Sequence, residues 1–199
     1  YAAEHHVYGE EPNDFLREVA SSIPEGPVLC LAEGEGRNAV FLATLGHDVT
    51  AVDQSDVGLA KARRLAARRG ARIETVHADL SDYAIQPEAW AGIVAIFAHV
   101  PPPLRRRIHR EAVAGLKPGG VFILEAYAPA QLARGTGGPK APELLMALAD
   151  LKDELRGLDL LVAREVERDV SEGGFHTGVG EVVDVLGQKA GGQPGGRGR

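Results

Sequence analysis

Five short apolar segments alternate with amphipathic segments along the chain, and this alternation constrains the fold more than any other feature. The apolar segments are PVLCLA (27–32), DVTAVD (48–53), RIETVHAD (72–79), GIVAIFAHV (92–100) and GVFILEAY (120–127). The first, fourth and fifth are apolar nearly throughout, which is typical of strands buried on both faces of a sheet. Strands that alternate with helices predict an α/β fold with a parallel, doubly wound sheet.

The segments between these strands carry helix signals. SDVGLAKARRLAARRG predicts a helix that is capped by Ser55 and ended by Gly70. PPPLRRRIHREAVAGL predicts another helix with one apolar face. Before the first strand, PNDFLREVASSI predicts a short helix capped by Asn13 or Asp14. We expect that helix to lie across the binding edge of the sheet as a lid.

The C-terminal third completes the sheet. DLLVAREVERDV (159–170) and GVGEVVDVLGQK (178–189) are joined by SEGGFHT and predict an antiparallel hairpin. The sequence therefore predicts a seven-stranded, mostly parallel sheet whose last strand is antiparallel. We expect one domain over residues 1–189. The tail at 190–199 lacks apolar residues, and this composition predicts disorder.

Composition narrows the functional class. A net charge of −6 argues against a protein built to hold nucleic-acid backbone, which attracts positively charged proteins. Cys30 is the one cysteine and lies in an apolar strand, so we expect a buried thiol and no intrachain disulfide. No apolar run reaches the roughly 20 residues of a membrane span, and no leader pattern is visible, which fits the cytoplasm.

Polar side chains follow each predicted strand, at the edge where open parallel sheets bind their ligands. Going through the strands in chain order, these residues are Glu33 with the glycine loop, Asp53, Asp79, His99, and Glu125 with Tyr127.

The glycine loop and a following acid predict a nucleoside ligand. Asp53 follows Gly34 by 19 positions, a spacing that lets a carboxylate accept hydrogen bonds from ribose hydroxyls. Gly34, Gly36 and Ala39 also fit the G-x-G-x-x-A pattern of nicotinamide enzymes. At this point both a dinucleotide and S-adenosylmethionine remain open.

Two carboxylates favour S-adenosylmethionine. Glu33 and Glu35 flank Gly34 and would face a bound pyrophosphate with like charge. S-adenosylmethionine has no phosphate and brings a positive sulfonium and an ammonium group. One close charge pair is worth on the order of a few kcal/mol at a surface-like dielectric constant, which is enough to separate the two cofactors. Asp79 in HADL adds an acceptor for the adenine amino group, or else caps the segment after Ser81.

Four segments together resemble the class I S-adenosylmethionine-dependent methyltransferases. They are VYGEEPNDFL, GEGRNAVFLATLGHDVTAVDQSDVGLAKA, HADL and GLKPGGVFILE. Within that superfamily the chain looks like the small bacterial group related to tellurite-resistance and thiopurine methyltransferases. The resemblance covers residues 1–189 and implies that the Gly34–Gly36 loop holds the cofactor, with Asp53 at the ribose and Asp79 at the adenine. Further cofactor contacts are expected from Tyr8, Glu33, Glu35, Arg37, Asn38, Gln54, Ser55 and Leu80.

The chain departs from that family at three places. The usual first motif, D-x-G-x-G-x-G, has Cys30 and Ala32 in its first two key positions, and Glu33 is a candidate to supply the missing charge. Gly92 stands where the fourth strand usually starts with aspartate. AHVPPP replaces the N-P-P-Y signature of enzymes that methylate amino groups in nucleic acids.

Three residues are candidates for catalysis: His99, Tyr127 and His176. A lone histidine at a strand end is as often a structural hydrogen-bonding residue, and an exposed loop histidine is common. Tyr8 either closes over the cofactor or packs under the first helix. His5 and His6 lack partners at ligand spacing, so no metal site is expected.

Two basic clusters are expected to be solvated helix faces rather than a nucleic-acid interface. They comprise Arg105, Arg106 and Arg107 in one helix, and Lys61, Arg63, Arg64, Arg68 and Arg69 in the other.

The sequence thus predicts a cytoplasmic, bacterial methyltransferase that uses S-adenosylmethionine and acts on a small-molecule acceptor. Two alternatives stay open: a non-catalytic protein that binds S-adenosylmethionine or its product, and an NAD(P)-dependent oxidoreductase. The acceptor and the oligomeric state do not follow from the sequence.

Overall fold

The computed structural model describes residues 6–172 and 176–191. The helices are α1 (Asp14–Val19), α2 (Arg37–Thr44), α3 (Asp56–Arg68), α4 (Pro102–Gly115) and α5 (Leu148–Glu154). The strands are β1 (Pro27–Leu31), β2 (Asp48–Asp53), β3 (Glu74–His77), β4 (Trp90–Ile96), β5 (Leu116–Tyr127), β6 (Leu158–Glu172) and β7 (His176–Lys189). The disorder predicted for the tail concerns residues that, from 192 onwards, lie outside this description.

All seven strands form one sheet with the order β3-β2-β1-β4-β5-β7-β6. β1 to β5 pair in parallel, whereas β7 lies between β5 and β6 and runs antiparallel to both. The predicted seven-stranded sheet with an antiparallel last strand is therefore confirmed. The strand order reverses between β1 and β4, which is where a doubly wound sheet places its ligand cleft.

Helices cover both faces of the sheet because side chains alternate along each strand. Leu29 and Leu31 of β1 face one core with α4 and α5, while Val28 and Cys30 face a second core with α1, α2 and α3. Cys30 is fully buried in that second core, as predicted for a core thiol.

The helix termini agree with the predicted signals. Ser55 caps α3, since its Oγ accepts a hydrogen bond from the Gly58 amide at 3.1 Å. Gly70 follows the helix with a φ of +67°. Of the two cap candidates for α1, Asn13 is the one that caps it, and its Oδ1 accepts from the Leu16 amide at 2.9 Å.

Several strand boundaries and two charged residues differ from the predictions. β4 ends at Ile96 rather than near residue 100, because Phe97 adopts a φ of +52° and turns the chain out of the sheet. β3 is limited to Glu74–His77. Lys61 and Arg105, which were expected on solvated helix faces, are buried with about 3% and 4% of their surface exposed, because each pairs with a buried carboxylate.

Candidate functional site

A cleft runs along the carboxyl ends of the parallel strands and consists of two adjoining cavities. They have volumes of about 470 Å³ and 540 Å³ and share Ala32, Phe97 and His99 in their walls. We call them the acceptor-side cavity and the nucleoside-side cavity. The first is also lined by Tyr8, Glu33, Glu35, Arg37, Asn38, Ile96, Tyr127, Gly137, Gly138 and Pro139. The second is also lined by Asp53, Gln54, Ser55, Asp79, Leu80, Ala98, Val100, Pro101 and Leu104.

The nucleoside-side cavity contains both predicted strand-end aspartates. Asp53 is buried at the end of β2, where Oδ2 accepts from the Gly34 amide and Oδ1 from the Ser55 amide, both at 2.8 Å. Asp79 is solvent-accessible, and its Oδ1 accepts from the Ser81 amide at 2.7 Å. That hydrogen bond lowers the pKa of Asp79. Asp79 therefore does cap the turn after β3, and it does so while facing the cavity.

Glu33 occupies the N-terminus of α2. Its Oε1 accepts hydrogen bonds from the Asn38 and Ala39 amides at 3.0 and 2.8 Å. Burial raises the pKa of Glu33 to about 7, against the opposing effects of these amides and of the Arg37 charge. Burial and the neighbouring Glu33 also raise the pKa of the Cys30 thiol. The Glu33 side chain thus already occupies the positive end of the α2 dipole.

The glycines of the loop are required by its packing on α3. Gly36 has a φ of +89°, and a Cβ placed on it would lie 2.4 Å from the Cβ of Ala62. Gly34 has a φ of +61°, and its carbonyl oxygen lies where a Cβ on Gly58 would approach to 2.8 Å. The loop is consequently fixed against α3 as well as against Asp53.

Glu35 holds the N-terminal segment over the cleft. Its Oε2 accepts from the Val7 and Tyr8 amides at 2.6 and 3.3 Å, and its Oε1 accepts from Lys61 Nζ at 2.6 Å. The Glu35 and Lys61 side chains are only 2% and 3% exposed. Although Glu35 lines the acceptor-side cavity, its charge is balanced by Lys61, so its predicted contact with a cofactor stays a prediction.

Residues 7–13, which we call the strap, are anchored at several further points. The Asn13 amide donates to Asn38 Oδ1 at 2.9 Å, and Asn13 Nδ2 donates to Glu125 Oε1 at 2.8 Å. Arg168 of β6 pairs with the same Glu125 carboxylate, which is fully buried. Glu125 was predicted as part of the ligand edge, but it is absent from the walls of both cavities and instead fixes the start of α1.

The outer side of the strap is held by the basic end of α3. Arg68 pairs with Glu10 at 2.6 Å and Arg69 with Glu11 at 2.8 Å. The prediction that these arginines form a solvated face is therefore incomplete, since they also bind the strap. Tyr8 lies in this segment and lines the acceptor-side cavity, which places it where a covering residue is needed.

His99 links three segments at the junction of the two cavities. Its Nδ1 lies 2.9 Å from the Leu144 carbonyl oxygen, and its Nε2 lies 3.4 Å from the Tyr127 amide nitrogen. A carbonyl can only accept and an amide N–H can only donate, so these bonds assign the Nδ1–H tautomer. The ring also stacks with Tyr127 at 5.8 Å between centroids.

Tyr127 and the glycine-rich loop after β5 close the far wall. The Tyr127 ring is 1% exposed and lies 4.8 Å from the Phe97 ring. A Cβ on Gly138 would lie 2.7 Å from Tyr127 Cδ2, so only glycine lets the loop lie on this ring. The hydroxyl of Thr136 ties the loop to β7 by donating to the Val179 carbonyl at 2.6 Å. The third catalytic candidate, His176, begins β7, and its side chain lies outside the described residues.

Sequence reasoning missed several residues that build the site. Lys61, Asn13, Arg168 and Leu144 contact Glu35, Glu125 and His99 across 26 to 112 positions, and no local pattern marks these contacts. The capping role of Glu33 could have been found, since an acid just before a helix is an ordinary N-terminal signal.

Comparisons with known proteins fit this architecture. Residues 28–120 match the family model described as a methyltransferase domain. The match covers 93 of the 199 residues, just under half of the chain. The matched residues run from β1 into β5 and include the glycine loop, Asp53 and Asp79.

A curated relative matches part of the chain. The chain is similar to the uncharacterized methyltransferase YbaJ of Bacillus subtilis, with 36% identity over 97 residues. This alignment covers 48% of the present chain and 38% of YbaJ, so the chain spans well under half of that relative.

Two solved structures share the fold over most of the chain. One comes from work on the conversion of a disulfide bond into a thioacetal group during echinomycin biosynthesis, with a TM-score of 0.73, 19% identity, and coverage of 96% of this chain and 87% of that one. The other is TehB from Haemophilus influenzae, with a TM-score of 0.71, 20% identity, and coverage of 88% of this chain and 61% of that one. Both show that the similarity in fold continues beyond residues 28–120.

The described residues also bear on membrane spans and metal sites. Across 6–172 and 176–191, none of the helices is long and apolar enough to cross a membrane. Within the same residues, His, Cys, Asp and Glu side chains form no group of three or more that could hold a metal ion.

Proposed function

We propose that this domain binds S-adenosylmethionine and transfers its methyl group to a small-molecule acceptor. The observation that carries the proposal is the Glu33 carboxylate on the Asn38 and Ala39 amides at the N-terminus of α2. In glycine-loop proteins that bind dinucleotides, this helix N-terminus receives the pyrophosphate. Here the Glu33 side chain already accepts from these amides, so a phosphate would have to displace it.

The donor and acceptor chemistry of the cleft fits S-adenosylmethionine. The cleft contains acceptors at Asp53, Asp79 and Glu33, and the cofactor carries matching donors in its ribose hydroxyls, adenine amino group and ammonium group. Asp53 would hold the ribose, and Asp79 with Leu80 would hold the adenine. Glu33 would face the positively charged methionine end, with Arg37 beside it for the carboxylate. A phosphate-bearing cofactor would find mainly like charge along the same walls.

The altered first motif is compatible with this assignment. Cys30 and Ala32 replace the usual acid and glycine, but Cys30 is fully buried in the core and cannot reach the cleft. Glu33 lies three positions later and places a buried carboxylate beside the loop. The charge that the family usually has at the start of the motif is therefore present at a neighbouring position.

Methyl transfer requires little from the side chains beyond binding, alignment and removal of water. When bound, S-adenosylmethionine supplies an electrophilic methyl group that a nucleophilic acceptor takes by direct displacement. The strap and the loop at Gly137–Pro139 cover the acceptor-side cavity and would exclude water from it. His99 and Tyr127 lie in its wall, where their rings would align the acceptor.

The covering segments favour a small acceptor. The acceptor-side cavity has about 470 Å³ for both the methionine end of the cofactor and the acceptor. The negative charge of Glu35 in the wall of this cavity is balanced by Lys61. The net charge of −6 also makes nucleic acid an unsuitable partner.

Cofactor choice is tested by calorimetry and thermal melting with S-adenosylmethionine, S-adenosylhomocysteine, NAD and NADP. We expect the first two to bind and raise the melting temperature and the last two to have no effect. Tight NAD binding with no response to S-adenosylmethionine would show that an oxidoreductase is the better assignment.

Turnover is tested with methyl-labelled cofactor and a panel of small thiols, amines, phenols and chalcogen oxyanions, beside RNA, DNA and protein fractions. We expect label in a small-molecule product. Label confined to a macromolecular fraction would contradict the small-acceptor proposal. Cofactor binding without label in any fraction would favour the non-catalytic binder.

A further inference from the structure

A buried ionic cluster lies between α4 and α5, behind the wall of the cleft. Arg105 binds the Glu154 carboxylate with two nitrogens, Nε at 3.1 Å and Nη2 at 2.8 Å. His109 Nδ1 lies 2.7 Å from the other oxygen of the same carboxylate. The three side chains are about 4 to 6% exposed. Burying such a cluster costs free energy. The cluster also contacts a backbone segment, and these contacts indicate what it holds in place.

The third guanidinium nitrogen of Arg105 reaches the backbone of residues 144–146, which we call the 144–146 segment. Nη1 donates to the Leu145 carbonyl at 3.3 Å. The preceding carbonyl, that of Leu144, accepts from His99 Nδ1 at 2.9 Å. The following amide, that of Met146, donates to the Tyr127 carbonyl at 3.0 Å. Three consecutive residues thus connect Arg105 to both ends of the His99 hydrogen-bond system.

We propose that Arg105 is a positioning residue that acts through the 144–146 segment to keep His99 in the Nδ1–H tautomer. In this tautomer Nδ1 donates to the Leu144 carbonyl and the Nε2 lone pair faces the Tyr127 amide, so the ring is held at both nitrogens in the wall of the cleft. Its role in methyl transfer rests on the function proposed above, whereas the tautomer itself does not depend on any bound ligand.

The opposite tautomer would be unfavourable in this geometry. With the proton on Nε2, two N–H donors would face each other at the Tyr127 amide and two lone pairs would face each other at the Leu144 carbonyl. The imidazole would lose its 2.9 Å bond to Leu144 while keeping the same ring position. This selection operates only while the Leu144 carbonyl stays in place, and Arg105 fixes the adjacent peptide.

An arginine is needed at this position because the guanidinium is planar and has donors on several sides. It binds Glu154 along one edge and still donates to the Leu145 carbonyl, whereas a lysine would place a single ammonium group among these acceptors. Burial opposes ionisation of Glu154, but hydrogen bonds from His109 and Arg105 outweigh it and lower the pKa of Glu154 to about 2. The carboxylate therefore stays charged near neutral pH. Asp150, 3.9 Å from Arg105, is the other acid facing the cluster.

Long-range ¹H–¹⁵N NMR of the histidine rings tests the proposal on the full chain at pH 8, without cofactor or acceptor. The His99 signals are identified by their absence in His99→Gln. We expect the Nδ1–H pattern in the parent protein. In Arg105→Met the ratio of Nδ1–H to Nε2–H should fall about tenfold, which corresponds to weakening one well-placed hydrogen bond. Arg105→Lys should restore part of the ratio.

Arg106→Met is the matched control, because Arg106 is the exposed neighbour on the same helix. It should leave the tautomer unchanged. If Arg105→Met does not fold, Glu154→Gln serves instead, since it keeps the shape of the side chain and removes the charge that aligns Arg105. An Nε2–H pattern in the parent, or an unchanged ratio in a folded Arg105→Met or Glu154→Gln protein, would overturn the proposal. Failure of the methyl-transfer assay would leave these spectra, and hence this inference, unaffected.

Discussion

Replacing Lys61 by methionine should destabilise the protein strongly, although Lys61 belongs to a helix segment rich in exposed basic residues. Lys61 Nζ lies 2.6 Å from Glu35 Oε1, and both side chains are almost fully buried. Removing one partner of a buried ion pair leaves the other charge uncompensated, which costs about 3–5 kcal/mol. Glu35 would keep the Val7 and Tyr8 amides as donors. We therefore expect a loss near the lower limit, about 3 kcal/mol.

Thermal and urea unfolding measure this loss. In a domain of this size, each kcal/mol shifts the melting temperature by about 2–4 °C, so Lys61→Met should melt about 6–12 °C lower. Arg64→Met is the matched control, because Arg64 is exposed on the same helix, and its effect should stay within about 0.5 kcal/mol. In the double variant Lys61→Met/Glu35→Gln, removal of the stranded charge should restore part of the stability.

Amide hydrogen exchange adds a local measurement. The Val7 and Tyr8 amides donate to Glu35, so they should exchange faster in Lys61→Met than in the parent if the strap loosens. A loss of less than about 1 kcal/mol, with unchanged exchange at both amides, would refute the reasoning that this pair is the main inner anchor of the strap.

Three further predictions concern charges at the cleft. Since the pKa of Glu33 is raised from 4.5 to about 7, the folded protein keeps a proton that the unfolded chain has lost between those values. Stability should therefore decline as pH rises through that window, by on the order of 3 kcal/mol, and urea unfolding of Glu33→Gln should show a flatter pH profile. Asp53→Ala should weaken S-adenosylhomocysteine binding by about 1–3 kcal/mol in calorimetry, and equal affinity would show that Asp53 is not the ribose ligand. The double variant Arg68→Met/Arg69→Met should lose less than about 1 kcal/mol of stability in thermal melting, because both ion pairs are exposed. It should also reduce the effect of added salt on stability. A large, salt-independent loss of stability would contradict this.

The predictable parts of the fold are those that local sequence patterns specify. The existence of the strands follows from apolar periodicity, and the ends of α3 follow from Ser55 and Gly70, whose signals lie within a few positions of their effect. The end of β4 was predicted too late in the chain. The apolar run continues past Phe97, and no residue type in it indicates a positive φ at that position.

The candidate site was predictable only in part, for the same reason. Asp53 and the glycine loop are connected by a fixed spacing, and the structure brings them into contact. The pairing of Arg105 with Glu154 spans 49 positions, and that of Asn13 with Glu125 spans 112. Such pairs depend on how helices and strands meet in space, so a charged residue in a basic run gives no sign that its partner lies in the core.

The anchoring of the strap has a consequence for the order of events during synthesis. Residues 7–13 are synthesised before Lys61, Glu125 and Arg168, which hold the strap and the start of α1. The strap must therefore wait for β6 to be synthesised before all of its contacts can form. Until then Glu125 lacks its partner Arg168, so the strap would cover the cleft less firmly in the nascent chain than in the finished fold.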